Sequence, residues 1–266
     1  MNITGSLAPL SFFKVSRYEY KKEHTCDFSD CPRPHYCMGL MLRGNGSFYS
    51  DDGVVEIEPG DIIFVPITSK YISKWTGDEI LYTSMHFSFE PGSLFSCSRK
   101  FKLQKVTVDD FEKYKSMFAE TLDGYDGDDA QRLNAVGNFY KIMASILKRL
   151  EYSDIRFSDK RIEKAVEYID FNYADEFDVA TLSELCHMSE SHFYTCFKKN
   201  MGMSPVEYKL KVRTEHASLL LIDGSDRSIE EISDMVGFES SAYFRRVFKK
   251  MTGKSPREYR LSSSEI

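Results

Sequence analysis

The chain has 266 residues and a formal net charge of −6 at pH 7, with 42% hydrophobic and 29% charged residues. This length is enough for two domains, and the composition is that of an ordinary soluble globular protein. The negative charge argues against attraction of the whole protein to nucleic acid, so such binding would depend on a local basic surface. The sequence has no 18-residue apolar run and no secretory signal, and its six cysteines are scattered. A cytoplasmic location with free thiols is therefore expected.

Most of the N-terminal half is predicted to form short β-strands. Residues 1–35 show no clear pattern. The predicted strands are β-rich and separated by Gly, Asp, Asn and Pro, and they are Tyr36–Arg43, Gly46–Asp51, Val54–Ile57, Asp61–Pro66, Tyr71–Trp75 and Glu79–Phe89. The last strand alternates between a core face and a face that either lines a ligand cavity or contacts solvent. Evenly spaced short strands are typical of a sandwich or a jelly-roll barrel.

Two amphipathic helices are predicted next, because apolar residues recur with a period of 3.6 from Thr107 onward. Thr107, together with Asp110, is expected to cap the first helix. The residues expected to be buried are Phe111, Tyr114, Phe118 and Leu122 in the first helix and Leu133, Val136, Tyr140, Met143, Leu147 and Leu150 in the second. A Gly/Asp turn, DGYDGDD, separates the helices, and Glu151–Ser158 is predicted to be a linker.

The C-terminal part is predicted to be helical, and its clearest pattern is a helix-turn-helix within Ile229–Tyr259. Ser228 and Glu231 can form a capping box at the first helix. Gly237 permits a left-handed residue at the end of this helix, and Ser240 can cap the second helix. The second helix ends at Gly253, after burying Phe244, Val247 and Phe248. A third helix begins after Ser255, with Pro256 at its first position and Glu258 at its third.

The same pattern occurs earlier in the chain. Val179, Leu182, Ser183 and Cys186 match Ile229, Ile232, Ser233 and Val236 at an offset of 50, and Phe193, Phe197, Gly202 and Ser204 match Phe244, Phe248, Gly253 and Ser255 at 51. The change of offset predicts one additional residue in the second turn. A helix at Lys160–Asn172 precedes the repeats, and one at Tyr208–Ile222 connects them. Two units with a shared core and different outer faces suit the reading of two DNA sequences.

The second helix of each unit is predicted to contact DNA, because basic residues lie beside its capped start. Candidates for contacts with base edges point away from the buried phenylalanines, and they are Ser191, Tyr194, Thr195, Ser241, Arg245 and Arg246. Candidates for contacts with phosphates are Ser189, His192, Lys198, Lys199, Ser240, Lys249 and Lys250. Arginine can form two hydrogen bonds with guanine, whereas phosphate contacts set affinity and register.

The segment GF-x5-F-x3-FKK-x2-G-x-SP-x-EYR at 237–260 resembles the signature of the AraC/XylS family of bacterial transcription regulators. The resemblance extends over Lys160–Leu261. Ser183 and Ser233 stand where the family usually has Ala, and both are small enough for the close helix crossing. More weakly, the Glu58–Asp61 turn and the strand after it resemble the cupin-like sensor domain of this family.

The resemblance implies an α+β protein with a cupin-like β-barrel or jelly roll that senses a ligand (1–104), an antiparallel helix pair (105–152) and an all-α DNA-binding domain (159–266). Its helix-turn-helix units are expected at about 178–200 and 228–251. The implied function is a sequence-specific regulator, an effector-responsive activator of carbohydrate or other catabolic genes. The expected partners are double-stranded DNA, RNA polymerase, a small-molecule effector such as a sugar, and a second copy of the chain. The helix pair either forms the dimer or only covers the barrel.

The same resemblance implies a ligand pocket, with His24, Arg33, Tyr36, Trp75, Tyr82 and His86 as candidate lining residues. Trp75 and Tyr82 would stack on a sugar ring. The His and Cys residues in 24–37 match no standard zinc spacing, and no catalytic motif is found, so no metal, cofactor or enzymatic activity is expected. Two alternatives stay open. One is a cupin-type metal protein or enzyme with an accessory DNA-binding module, and the other is a thiol-based stress sensor that uses Cys26, Cys31 or Cys37.

Overall fold

The computed structural model describes residues 9–30, 32–90, 99–154, 157–223 and 225–263. The chain divides into two compact units. The N-terminal unit comprises Leu10–Ser88 and Phe101–Ser153, and the C-terminal unit contains the helices that follow Asp154. This arrangement confirms the predicted α+β class. Among the described helices, none combines the length and the apolarity needed to cross a bilayer.

The N-terminal unit is built on a seven-stranded sheet. Its strands are β1 (Leu10–Tyr20), β2 (His24–Asp27), β3 (Tyr36–Ser50), β4 (Gly53–Ile57), β5 (Asp61–Val65), β6 (Ile72–Phe89) and β8 (Gln104–Thr107), whereas β7 (Arg99–Phe101) pairs with β9 (Tyr152–Asp154). The strand order is β1-β6-β3-β5-β8, with β2 paired to β6 and β4 to β3. β1 and β2 lie in the region where the sequence showed no pattern, and β9 lies inside the predicted linker.

The strands β3 and β6 are each continuous where the sequence predicted two strands. They pair antiparallel from Tyr36 opposite Phe87 to Tyr49 opposite Ile72, with register shifts near Gly44. Gly44 has a φ of 81°, and a Cβ on Gly77 would lie 3.1 Å from Gly44 Cα. The glycines therefore allow two backbones to approach at a bulge, which bends the strand pair without ending it.

The helices α1 (Phe111–Tyr125) and α2 (Asp129–Leu147) cover one face of the sheet. The Phe139 ring on α2 lies 4.9 Å from the Phe87 ring and 5.0 Å from the Phe13 ring, measured between centroids. The predicted cap of α1 is wrong, because the N-cap residue is Asp110 and Thr107 is the last residue of β8. Thr107 instead donates a hydrogen bond from its hydroxyl to the buried Asp61 carboxylate.

Two apolar stripes run along α2. The stripe that packs against the sheet differs from the stripe that the sequence predicted to be buried. The buried residues are Ala135, Phe139, Ile142, Met143 and Ile146. Of the predicted stripe, Leu133 is 73% exposed, and Val136, Tyr140 and Leu147 are half-buried. The contacts of Phe139 with the sheet orient the helix, and such contacts are invisible to a search for helical periodicity. A partly exposed apolar stripe therefore remains on α2.

The C-terminal unit contains both predicted helix-turn-helix units. Its helices are α3 (Arg161–Phe171), α4 (Val179–Leu185), α5 (Glu190–Met201), α6 (Pro205–Ile222), α7 (Ile229–Met235), α8 (Ser241–Thr252) and α9 (Pro256–Ser263). The predicted capping box of Ser228 and Glu231 begins α7. α6 starts earlier than predicted, because Ser204 and Glu207 form a further capping box around Pro205.

The two helix-turn-helix units share a core and differ in their turns. Phe193, Phe197, Phe244 and Phe248 are all fully buried. The first turn occupies 186–189 and the second 236–240, which confirms the additional residue. At equivalent positions in these turns, His187 has a φ of 53° and Gly237 a φ of 81°. A side chain is therefore accommodated at this left-handed position in the first unit.

Arg213 on α6 fixes the loop that precedes α4. Its buried guanidinium donates to the backbone oxygens of Tyr173, at 2.6 Å, and Asp175, at 3.1 Å, and pairs with the Glu176 carboxylate at 3.1 Å. It also lies 5.6 Å from the centroid of the Phe238 ring, which is part of the second turn. The connecting helix therefore ties the loop between α3 and α4 to the second helix-turn-helix unit.

Candidate DNA-binding surface and effector cavity

The outward faces of α5 and α8 carry the residues predicted to contact DNA. On α5, Ser191, Tyr194 and Thr195 are exposed, as are the predicted phosphate contacts His192, Lys198 and Lys199. On α8, Arg245, Arg246, Lys249 and Lys250 are exposed, and Ser241 is half-buried. Each helix thus has a polar outer face and two lysines in its last turn.

The N-terminal caps of α5 and α8 differ. The Ser240 hydroxyl accepts a hydrogen bond from Tyr243 N at 3.3 Å. Ser189 is the N-cap residue of α5, but its side chain forms no capping hydrogen bond. The Ser189 hydroxyl is therefore not committed to the helix end as the sequence suggested.

Each outward arginine of α8 already has a neighbour within the unit. Arg245 forms an ion pair with Glu230 on α7, and both side chains are about half exposed. The Arg246 guanidinium lies 5.2 Å from the centroid of the Tyr243 ring, which is itself exposed at the start of α8. Sequence reasoning missed Glu230 and Tyr243. Glu230 lies on a different helix from its partner, so no local pattern indicates the pair.

A narrow cavity lies within the N-terminal unit, on the face of the sheet opposite α2. The space inside it that a water molecule can reach is about 30 Å³, enough for about one or two waters, and the cavity opens to solvent. Of the predicted ligand residues, Arg33, Trp75, Tyr82 and His86 line this cavity. Tyr36 points to the other face of β3 and stacks on Phe87, with ring centroids 5.6 Å apart. His24 is not a lining residue, but its ring stacks on Tyr20 at 4.4 Å and its Nε2 lies 3.1 Å from the Sγ of Cys26, which lines the cavity.

The aromatic residues predicted to stack on a sugar instead stack on one another. The Trp75 and Tyr82 rings are parallel within 2° and their centroids are 4.0 Å apart. Tyr18 stacks on Tyr82 at 4.7 Å. Trp75 is only 4% exposed, and its indole Nε1 has no hydrogen-bond partner among the described residues. A ligand that packs on either ring must separate this stack.

His86 lines the cavity and is paired with His35, which lies behind it. His86 Nδ1 lies 3.2 Å from Arg33 Nη1 and 3.0 Å from His35 Nε2, and His86 Nε2 lies 2.8 Å from Ser84 Oγ. A guanidinium can only donate, so His86 Nδ1 is the acceptor and the His86 proton is on Nε2. His35 then donates through Nε2. Burial, together with the Arg33 charge, lowers the pKa of both histidines, which are neutral at pH 7.

Cys26 and Cys37 are poor nucleophiles in this environment. Burial raises the pKa of the Cys37 thiol to about 11 and also raises the pKa of Cys26, so both thiols stay protonated at neutral pH. Cys31, the third predicted redox residue, lies outside the described residues. In the described part of the chain, no three His, Cys, Asp or Glu side chains are arranged to hold a metal ion.

Comparison with known proteins identifies both units. The N-terminal residues 15–106 match the model of the AraC-like ligand-binding domain, and residues 182–262 match a helix-turn-helix domain model. The Msm operon regulatory protein of Streptococcus mutans is 25% identical over 93% of this chain and 95% of its own. The arabinose operon regulatory protein of Escherichia coli is 25% identical over 86% and 82%. The crystal structure of ToxT from Vibrio cholerae O395 has the same fold, with a TM-score of 0.57 and 16% identity over 96% of this chain and 99% of ToxT.

Proposed function

Because this chain belongs to the AraC family of transcription regulators, we propose that it binds operator DNA through α5 and α8 and that a small molecule in the N-terminal cavity controls this binding. The observation that carries the proposal is the duplicated helix pair. Each copy buries the same phenylalanines and exposes a polar helix face ending in two lysines. In this proposal the protein regulates transcription without catalysing a reaction.

The connecting helix suits contacts with two successive major grooves. α6 has 18 residues and therefore spans about 27 Å. Successive major grooves on one side of B-DNA are about 34 Å apart. We infer that α5 and α8 occupy neighbouring grooves, so that one unit reads each half of the site. Lys198, Lys199, Lys249 and Lys250 then contact phosphates.

Arg245 and Arg246 are the proposed base-reading residues of α8. An ion pair between exposed side chains contributes about 0–1 kcal/mol, whereas a bidentate arginine–guanine contact contributes about 1–3 kcal/mol of discrimination. Arg245 can therefore leave Glu230 for a guanine at a net gain. Glu230 meanwhile holds the guanidinium in place in the absence of DNA.

Alanine variants of α8 test this assignment. Arg245→Ala and Arg246→Ala should each weaken operator binding by about 1–3 kcal/mol, and at least one should relax the base preference at one position. Lys249→Ala should weaken binding to all sequences about equally and reduce the salt slope by about 1. Gel-shift titrations at several salt concentrations, on DNA recovered with the purified protein, measure both effects.

Arg149→Ala serves as the control for these titrations, because Arg149 is exposed on the N-terminal unit. It should change neither affinity nor salt slope. If both α8 arginine variants reduce specific and non-specific binding by the same factor, the arginines contact phosphates and the base-reading assignment is wrong.

The effector is proposed to be a small molecule of the sugar class, and the regulated genes to be carbohydrate genes. This rests on the likeness to the arabinose operon regulatory protein and on a cavity lined by aromatic and hydroxyl side chains. The ligand can shift DNA affinity only by the difference between its affinities for the two states, typically about 1–3 kcal/mol. We propose that the protein acts in the cytoplasm as an activator that works with RNA polymerase.

Dimerisation is proposed to use the partly exposed stripe of α2, which includes Leu133, Val136 and Leu147. Leu133→Glu and Leu147→Glu place a charge on this stripe, and each should convert a dimer into a monomer, because a charge is costly to bury at an interface. Light scattering measures the mass, and gel shifts measure the response to effector. Fragment 159–266 should retain its sequence preference and lose the response.

Val54→Glu is the matched control, because Val54 is 53% exposed on β4. It should leave the mass unchanged. If Leu133→Glu and Leu147→Glu change neither mass nor response, and the fragment binds DNA as tightly as the whole chain under every condition, then α2 carries neither dimerisation nor control.

A further inference from the structure

Arg33 brings a positive charge to the cavity without a matching negative charge. Among the described residues that line the cavity, no side chain is Asp or Glu, and Arg33 forms no ion pair within the described part of the chain. Its guanidinium lies 4.3 Å from the centroid of the Phe28 ring. On this side the charge therefore contacts an aromatic face rather than a carboxylate.

The ionisable groups near Arg33 do not supply the missing charge. They are the phenols of Tyr71, Tyr18 and Tyr82 and the thiol of Cys37. Burial raises the pKa of Tyr71 and Tyr82 well above neutrality and that of Cys37 to about 11. Tyr71, Tyr82 and Cys37 are therefore protonated at neutral pH and supply no negative charge to the guanidinium.

Arg33 and Trp75 present N–H donors on the cavity wall that have few acceptors among the described residues. A guanidinium has five N–H donors, and one atom, Arg33 Nη1, contacts His86 Nδ1 at 3.2 Å. That single acceptor is shared with His35 Nε2. The buried indole N–H of Trp75, which also lines the cavity, has no acceptor among the described residues. A ligand that brings acceptor oxygens and a negative charge complements this wall.

We propose that the effector carries a carboxylate and that Arg33 binds it. The inference rests on the proposed effector cavity and specifies the chemical class of its ligand. The planar guanidinium suits a carboxylate, which it can bind through two parallel N–H···O bonds. The body of the ligand contacts the aromatic wall formed by Phe28, Trp75 and Tyr82. The Trp75 and Tyr82 rings separate to admit it. A sugar acid and a short aliphatic acid share this chemistry.

Thermal unfolding of the full-length protein with matched acids and neutral compounds tests the proposal. The pairs are glucuronate with glucose, galacturonate with galactose, and hexanoate with hexanol. At least one acid should raise the Tm by about 5 °C or more at about 100 times its Kd, and its neutral partner should not. The pair that responds distinguishes a sugar acid from an aliphatic acid.

Variants of Arg33 establish whether the guanidinium is the binding group. Arg33→Met should abolish the Tm shift caused by the acid, and it should leave the ligand-free Tm unchanged or higher, because it removes an unpaired cation. Arg33→Lys keeps the charge without the two-bond geometry and should reduce the shift. Arg43→Met is the matched control, since Arg43 is exposed and pairs with Glu79, and it should retain the full shift.

The inference is overturned if no acid raises the Tm, if a neutral compound raises it as much as its acid, or if both Arg33 variants retain the shift. It is also overturned if both Arg33 variants lower the ligand-free Tm by several degrees, because the guanidinium then serves the fold. Gel shifts on recovered DNA without added ligand are run in parallel. If the protein does not bind the recovered DNA, the proposed function is refuted. If it binds this DNA but no acid raises its Tm, only the proposal of a carboxylate effector is refuted.

Discussion

Replacing Phe244 with alanine is expected to lower the free energy of unfolding of the C-terminal unit by about 3–5 kcal/mol, the usual cost of deleting a core phenylalanine ring. Phe244 is fully buried, and its ring centroid lies 5.2 Å from that of Phe238 and 5.5 Å from that of Phe248. Phe193→Ala is the same change in the first repeat, where Phe193 contacts Phe197 at 5.6 Å. Both variants should fall in the same range because both rings fill equivalent positions.

The single tryptophan of the chain makes this measurement selective. Trp75 is in the N-terminal unit, so its fluorescence reports unfolding of that unit, whereas far-UV circular dichroism is dominated by the helices. In urea, the helical transition should move to lower concentration while the fluorescence transition stays in place. Tyr243→Ala alters the adjacent, exposed ring and should cost less than about 1 kcal/mol. A similarly small loss for Phe244→Ala would contradict the assigned core.

The helix-turn-helix units were predictable because their signals are local. The capping box at Ser228, the left-handed position at Gly237 and the cap at Ser240 all act within a few residues. The repetition at offsets of 50 and 51 then tests each assignment a second time. Burial of the phenylalanines and exposure of the basic residues follow from helical phase alone, so this surface was also accessible from the sequence.

The N-terminal unit was less predictable because the bounds of its strands and the orientation of its helices depend on contacts between distant segments. Gly44 and Gly77 look like strand ends in sequence, yet each is compatible with a bulge once β3 and β6 pair. The phase of α2 depends on Phe139 packing against Phe87, which is 52 positions away. The arrangement of side chains in the cavity was likewise not predictable from the sequence. The sequence indicated Arg33, Trp75, Tyr82 and His86, but not that two of these rings stack on each other.

Gly237→Ala is expected to destabilise the C-terminal unit by about 2–5 kcal/mol, and the main cause is a contact rather than the backbone angle. The left-handed conformation of Gly237, with a φ of 81°, costs alanine about 1–2 kcal/mol. A Cβ at this position would also lie 2.1 Å from the carbonyl oxygen of Ala174. His187 occupies the equivalent left-handed position in the first repeat with a full side chain, so the angle alone is tolerable.

The clash cannot be relieved cheaply, because the Ala174 backbone belongs to a fixed loop. Arg213 binds the backbone oxygens of the neighbouring Tyr173 and Asp175, and moving the loop weakens those bonds to a buried guanidinium. Displacing packed groups costs about 1–3 kcal/mol, and loss of hydrogen bonds to a buried charge adds to this. The displacement and the backbone angle together give the expected range, and the weakened hydrogen bonds place the loss toward its upper end.

Gly253→Ala is the matched control, because Gly253 has a φ of 77° and a Cβ there would meet nothing within 4 Å. It should cost only the backbone term of about 1–2 kcal/mol. Urea unfolding followed by far-UV circular dichroism compares the two variants in the same chain. Gly237→Ala should lose clearly more stability than Gly253→Ala and should also lose operator binding as α7 and α8 shift. Equal losses of stability for the two variants would mean that a Cβ at position 237 does not clash with the Ala174 carbonyl oxygen. Gly237 would then be needed only for its backbone angle.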